Sequence, residues 1–383
     1  MEPIYLDYNA TTPVAPEVVA ALRPYLETQF GNPSSGHAYG VAAHEAVDRA
    51  RAPVAELLGC AVDEIVFTGG GSEANNLAIK GVVFASVELK LRRHPHLVTS
   101  AIEHPAVRNT CRYLADRFGC KVTFVPVDRH GRVDPDDVRR AITPRTVLVS
   151  IMHANNEIGT VQPIAAIAAV AREHGIPLHT DAAQSVGKIP TRVDDLGVDL
   201  LTIAGHKLYA PKGVGALYVR RGTKLDPLVH GAGHEGGRRA GTENVAYMVA
   251  LGAACELVGP KLKENAERLA SLRDRLHHDL IGATPGLMLN GHPLQRLPNT
   301  LNVSFPGWDG EELLARCPEV AASTGSACHA GRTEPSDVLL ALGLDREVAL
   351  GAVRLSLGRY TTGDEIETAA RALVRASRSG VSV

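Results

Sequence analysis

Two short stretches, His179-Thr180-Asp181-Ala182-Ala183-Gln184 and Ala204-Gly205-His206-Lys207, set an acid and an amine directly after apolar runs. Such runs read as buried strands, so Asp181 and Lys207 fall at strand ends. A lysine amine can form a Schiff base with an aldehyde, and a carboxylate can keep a pyridine nitrogen protonated. That pairing is what pyridoxal phosphate chemistry requires. The small side chains of Ala182 and Ala183 let a ring approach the backbone. Gln184 can donate its amide to the cofactor's phenolic oxygen; equally, Asp181 can cap a helix with Gln184 as its capping-box partner.

Four further features suit the same chemistry. Gly69-Gly70-Gly71-Ser72-Glu73 joins an apolar run to a helical pattern over Ser72 to Leu91, and backbone N–H groups at such a helix start bind phosphate. Its spacing is neither that of a P-loop nor that of a dinucleotide fingerprint, and a glycine turn also serves plain chain reversal. His104, after Ser100-Ala101-Ile102-Glu103, can stack on a cofactor ring and carry protons near neutral pH, or else be a core histidine. Cys328 lies in Ser323 to Ser336, a small-residue segment that reads as a mobile loop, with His329 beside it. A thiol so placed is a candidate nucleophile; the plain alternative is an inert loop cysteine. Arg354 sits inside an otherwise apolar strand pattern, where its guanidinium needs either a substrate carboxylate or a structural ion pair.

The elements that position these residues follow from the hydrophobic pattern. Seven apolar runs, at 65–68, 97–99, 122–127, 147–152, 177–180, 200–203 and 216–219, alternate in part with amphipathic helical stretches. Runs without strict alternation suit strands covered on both faces, so an α/β fold with a mostly parallel seven-stranded sheet is expected. Ligands in such sheets lie beyond the carboxyl ends of the strands, where the polar clusters fall. After residue 258 the pattern changes to a long charged helix followed by mixed short elements. We expect a large cofactor-binding domain over 15–258 and a smaller α+β domain from 1–14 and 259–383, the latter carrying the Cys328 loop.

Composition excludes other classes. A 383-residue chain with 45% hydrophobic and 21% charged residues is globular rather than disordered. The formal net charge of −2 gives no reason to expect nucleic acid or a membrane as partner. No secretory pattern opens the chain and no run approaches a membrane span. The six cysteines show no C-x-x-C pattern, so a cytoplasmic protein with reduced thiols and no metal is expected.

With these residues in hand, the chain resembles the cysteine desulfurases, pyridoxal phosphate enzymes of fold type I in the class V aminotransferase superfamily. The resemblance rests on Tyr5 to Pro13, Gly31-Asn32-Pro33-Ser34-Ser35, the Gly71-Ser72-Glu73 turn, Glu103-His104, Ala154 to Glu157, His179 to Gln184, Gly205-His206-Lys207, Arg239-Ala240-Gly241-Thr242 and Gly325-Ser326-Ala327-Cys328. It implies that Lys207 is the Schiff-base lysine, that His104 stacks on the ring, and that Asp181 and Gln184 hold its nitrogen and phenolic oxygen. Ser72, His206 and the backbone near Gly71 would hold the phosphate, with Thr242 reaching in from the second subunit of a homodimer. Asn155, Arg354 and Asn9 would bind the substrate carboxylate, Asn155 also lying against the cofactor.

The implied reaction converts L-cysteine to L-alanine and leaves the sulfur on Cys328 as a persulfide for an acceptor that the sequence does not identify. Two departures bear on it. Ala204 stands where many relatives carry a serine phosphate ligand, with Thr202 nearby in sequence, and His329 stands where many carry serine or threonine. Ala327-Cys328-His329 and Leu297 to Thr300 are similar to selenocysteine lyases, which makes L-selenocysteine the alternative substrate; an ordinary class V aminotransferase is a further rival. The chain stops soon after the helix that begins near Asp364, so no long docking tail is expected.

Overall fold

A computed structural model describes residues 2–88, 94–324 and 334–378, so Cys328 and His329 lie outside the described residues. The chain opens with a two-residue strand, β1 (Ile4–Tyr5). Seven strands then alternate with helices: β2 (Ile65–Thr68), β3 (His96–Ser100), β4 (Lys121–Val125), β5 (Thr146–Ser150), β6 (Leu178–Asp181), β7 (Leu200–Ala204) and β8 (Gly215–Val219). They form one sheet in the order β2-β8-β7-β6-β5-β3-β4. Every neighbouring pair from β7 to β4 is parallel, while β8 runs antiparallel to both β2 and β7. The mostly parallel seven-stranded sheet expected from the sequence is the one observed.

Helices cover both faces of this sheet, which explains the unbroken apolar runs. Ile65, Phe67, Leu201 and Ile203 pack into a core with residues of the helices Ala38–Leu58, Ile164–Glu173 and Val245–Val258. Their sequence neighbours Val66 and Leu200 face the other way, against the helices Gly71–Glu88 and Pro105–Phe118. Successive strand residues point to opposite faces, so a strand buried on both sides has to be apolar at every position.

A second core forms around β9 (Met288–Asn290), β10 (Thr300–Ser304) and β12 (Ala352–Ser356), an antiparallel sheet in the order β12-β10-β9. Leu301, Val353 and Leu355 pack there with residues of the helices Leu262–Ala283 and Gly363–Arg378. The N-terminus joins this core: Leu6 is buried in it, and β1 pairs with β11 (Val320–Ala321). Asp7 bridges to Ser356, and the next residues run back to the main sheet, where Thr12 N–H donates to the His206 carbonyl at 2.9 Å.

Candidate active site

Beyond the carboxyl ends of the parallel strands lies a cavity of about 460 Å³. Lys207, Asp181, His104 and Arg354 all line it, together with the Gly69 to Ser72 turn. The first three follow the ends of different strands of the main sheet, whereas Arg354 comes from the middle of β12 in the second sheet. Lys207 closes a 3₁₀ turn (Gly205–Lys207) after β7, and a Cβ on Gly205 would lie 2.8 Å from the Val214 carbonyl oxygen, so this turn needs glycine. Asp181 ends β6. His104 caps the helix Pro105–Phe118, where proline in the first turn forfeits no hydrogen bond. Gly71 and Ser72 begin the 18-residue helix Gly71–Glu88, whose N-terminal N–H groups and dipole favour an anion.

The hydrogen bonds show which atoms are already committed. Asp181 is buried; Oδ2 accepts from Asn75 Nδ2 at 2.7 Å and Oδ1 from the Ala183 N–H at 2.9 Å. Asn75 itself is buried and lines the cavity, and its Oδ1 has no partner among the described residues. Nζ of Lys207 donates to the carbonyl of Asn9 and, at 2.7 Å, to that of Ala10. Gln184 lines the cavity with Nε2 donating to the Asn9 carbonyl at 2.9 Å, and its Oε1 accepts from Lys188 Nζ at 2.9 Å. His206 and Lys212 also line the cavity. Glu73 ties the glycine turn in place: it accepts from the Gly69 N–H and from Arg239 Nε, each at 2.9 Å.

Electrostatics set the protonation of the neighbours. Burial pulls the His104 pKa below its ordinary value, with Asp181 opposing and Lys207 adding to the effect. Its Nδ1 accepts from the Ala106 N–H at 3.1 Å, so the neutral ring carries its proton on Nε2. Burial drives His206 down to about 4, with Lys207 contributing. Glu103 is buried next to His104 and its carboxyl is pushed up to about 8, although Ser100 Oγ and the Met152 N–H both donate to its Oε1. Oε2 of Glu103 has no partner among the described residues.

Some expected ligands are not brought to the cavity as free groups. Asn155 is fully buried and does not line it; its Nδ2 donates to the Ile102 carbonyl and its Oδ1 accepts from the N–H groups of Glu157 and Ile158. The side chain stitches the turn after β5, which leaves it no open position for a substrate or cofactor. The Asn9 side chain is likewise occupied, bonded to Thr300, Asn299 and Lys188. Arg354 lines the cavity but makes the structural pair as well, donating to Asp7 Oδ1 at 2.7 Å and to the Asn156 carbonyl at 3.0 Å. Its Nε has no partner among the described residues. Thr242 is exposed and does not line the cavity of its own chain. Thr202 does not supply the hydroxyl missing at Ala204, because its Oγ1 faces His179 Nε2 at 3.1 Å beneath the strand end.

The five described cysteines are free thiols, and each is held protonated by its surroundings. Burial pushes Cys60, Cys111 and Cys255 up to about 12 and Cys317 up to about 11, and raises Cys120. None of these five is a thiolate near neutral pH. Cys328 lies outside the described residues.

The lining fits pyridoxal phosphate: an amine for the aldehyde, a held carboxylate for a ring nitrogen, an imidazole for stacking and a helix N-terminus for the phosphate. The Aminotransferase class-V family matches residues 4–368. A protein of Dictyoglomus turgidum named cysteine desulfurase IscS is 48% identical over 365 residues, covering 95% of this chain and 91% of its own. The solved structure of a NifS-like protein superposes with a TM-score of 0.90 at 36% identity, covering 97% of this chain and 98% of that one. The structure of SspA in complex with cysteine gives a TM-score of 0.83 at 41% identity, covering 94% and 99%.

Proposed function

The chain belongs to the class V aminotransferase family, and from that premise we propose how it works as a cysteine desulfurase, the activity for which its relatives are named. Class V aminotransferases and cysteine desulfurases depend on pyridoxal phosphate, and this chain is read as holding that cofactor in the 460 Å³ cavity. One observation carries the reading: Lys207, Asp181 and His104, far apart in sequence, converge on one cavity at the start of a helix.

When bound, pyridoxal phosphate supplies an electron sink that draws density from the Cα–H and Cβ–S bonds of the substrate. The chain's residues do the rest. Lys207 is the residue that would hold the cofactor's aldehyde, and its amine, when free, would be placed to accept the Cα proton. Asp181, itself fixed by Asn75 and Ala183, holds the proton on the ring nitrogen. Gln184 donates to the phenolic oxygen. The N–H groups at Gly71 and Ser72, with His206, hold the phosphate, and Thr242 from a second copy of the chain completes that shell in a homodimer. Neutral His104 stacks on the ring and offers its Nε2–H. Arg354, oriented by Asp7, would bind the carboxylate of L-cysteine. The Cys328 thiolate would attack the substrate sulfur as the Cβ–S bond breaks, the electron pair staying with the carbon, which takes up a proton to become the methyl of alanine, and the sulfur remaining on Cys328 as a persulfide. We read 15–258 as the cofactor-holding unit, 1–14 with 259–383 as the smaller one, and the cytoplasm as the working compartment.

The test is to load the full-length protein with pyridoxal phosphate and assay sulfide and alanine released from L-cysteine, with L-selenocysteine in parallel. Wild type should turn yellow and release alanine. Lys207→Ala should do neither, and Cys328→Ala should keep the colour but lose persulfide formation. A colourless wild type, or full turnover by Lys207→Ala, would refute the assignment.

A further inference from the structure

We infer that Lys188 is a positioning residue: it fixes the Gln184 amide so that its nitrogen end, not its carbonyl, faces the phenolic oxygen of the cofactor. The inference rests on the reading of the cavity as a pyridoxal phosphate site. A glutamine amide has nearly the same shape after a half-turn, so its orientation is decided by its hydrogen-bond partners. A phenolic oxygen that carries negative charge is stabilised by N–H and repelled by C=O. Something must therefore forbid the half-turn.

Two partners do so from opposite ends. Nζ of Lys188, which has donors only when charged, lies 2.9 Å from Gln184 Oε1 and 3.3 Å from Asn9 Oδ1. The Asn9 carbonyl, an acceptor only, takes one N–H from Gln184 Nε2. A flipped amide would turn N–H toward an ammonium and C=O toward a carbonyl, losing both bonds. The second N–H of the amide remains for the cavity that Gln184 lines. The Asn9 carbonyl alone is a weak determinant, since it also accepts from Lys207. Lys188 is the donor that decides.

Lys188 is itself held in an unusual setting. The residue is partly buried, and its amine turns inward on to Asn9 and Gln184. Burial, with repulsion from Lys207 and Arg354, lowers its pKa to about 7. Asp7 pairs with Arg354, and His206 is a further titratable neighbour within electrostatic reach. The charged amine offers donors only and so forbids the flipped amide, whereas the neutral amine still donates but also gains an acceptor lone pair, so the orientation is enforced most strongly while Lys188 is charged.

The experiment titrates the visible absorbance of cofactor-loaded, full-length protein against pH, with cofactor dissociation measured alongside. A donor on the phenolic oxygen favours its anion, so losing that donor raises the midpoint at which the chromophore takes up a proton. Lys188→Met should raise the midpoint by about one pH unit, tenfold in proton affinity. Gln184→Leu should give the same shift, and the double variant no more than either, because both act through one bond. Lys188→Gln, which keeps a neutral donor, should stay within about half a unit of wild type. The inference is overturned by a wild-type midpoint in Lys188→Met, by summed shifts in the double variant, or by a Lys188→Gln shift as large as that of Gln184→Leu. Wild type that acquires no chromophore removes the cofactor reading itself, and that failure needs no variant to be seen.

Discussion

Glu103 shows at the residue scale how the site's polarity is linked to stability. Its carboxyl is fully buried and titrates near 8, against 4.5 for the free side chain, with burial as the first cause. Between those values the folded protein holds a proton that the unfolded chain has released. Stability is therefore present in full below about pH 4.5 and is lost as pH rises toward 8. Each unit of displacement corresponds to about 1.4 kcal/mol, so the loss is on the order of a few kcal/mol. Glu103→Gln keeps the shape and removes the titration. Its melting temperature should exceed that of wild type at pH 8 and converge with it near pH 5; parallel curves for the two proteins would show that Glu103 does not titrate in this window. Legibility in the sequence differed sharply among such residues. Asp181, Lys207, His104 and Arg354 are visible because each is polar beside an apolar run. Asn75 and Lys188 are not, since one sits a turn into a helix and the other lies within the turn that follows β6, where such residues are ordinary. Asn155 misleads in the other direction: it stands beside the cavity-lining Ala154 and Asn156, but its side chain turns inward.

At the scale of elements, the helix Gly71–Glu88 must approach β7 closely for its N-terminus to face the cavity. The spacing is measurable: a Cβ on Gly71 would lie 3.0 Å from the Ala204 Cβ. Ala204 thus packs against the helix start. Gly71→Ala requires no forbidden backbone angle, and only a few tenths of an ångström of retreat. We expect the variant to fold with a melting temperature close to wild type while its cofactor dissociation constant rises several-fold, because N–H groups at a helix start act only at hydrogen-bond distance. Equal cofactor affinity in equilibrium dialysis would mean the glycine serves the turn alone. The strands of the main sheet were legible from their apolar runs. The helices Pro16–Glu27 and Ala38–Leu58 were not, and their composition explains it: each carries an internal proline, Pro24 and Pro53, which in sequence reads as a break. Their packing against Val245–Val258 overrides that local cost.

For the whole molecule, the question is what covers the segment before the first sheet strand. Phe30 is 74% exposed and Tyr39 61%, their rings stacked 5.6 Å apart, and Leu26 is 62% exposed nearby in sequence. An apolar cluster of this kind marks an association surface. It adjoins the 230–243 stretch, since Ser34 Oγ lies 3.3 Å from His234 Nε2. That stretch is pinned to its own chain by Glu235, which pairs with Arg51 and accepts from the Phe67 N–H at 2.8 Å. Thr242 is exposed and does not line its own cavity. A symmetric dimer through this face would present Thr242 to the partner's phosphate site, and a two-fold arrangement does so twice. Subunit mixing tests it. Lys207→Ala abolishes the site that its own chain builds, and Thr242→Asp sets a like charge against the phosphate of whichever site it serves. If Thr242 acts across the interface, a mixed dimer has one whole site: the Thr242→Asp chain supplies Lys207 and the Lys207→Ala chain supplies Thr242. Co-expression with random pairing makes about half the dimers mixed, so activity should recover to about a quarter of wild type, far above either parent. If Thr242 serves its own chain, every mixed site lacks one partner or the other, and the mixture shows only the average of the two parents.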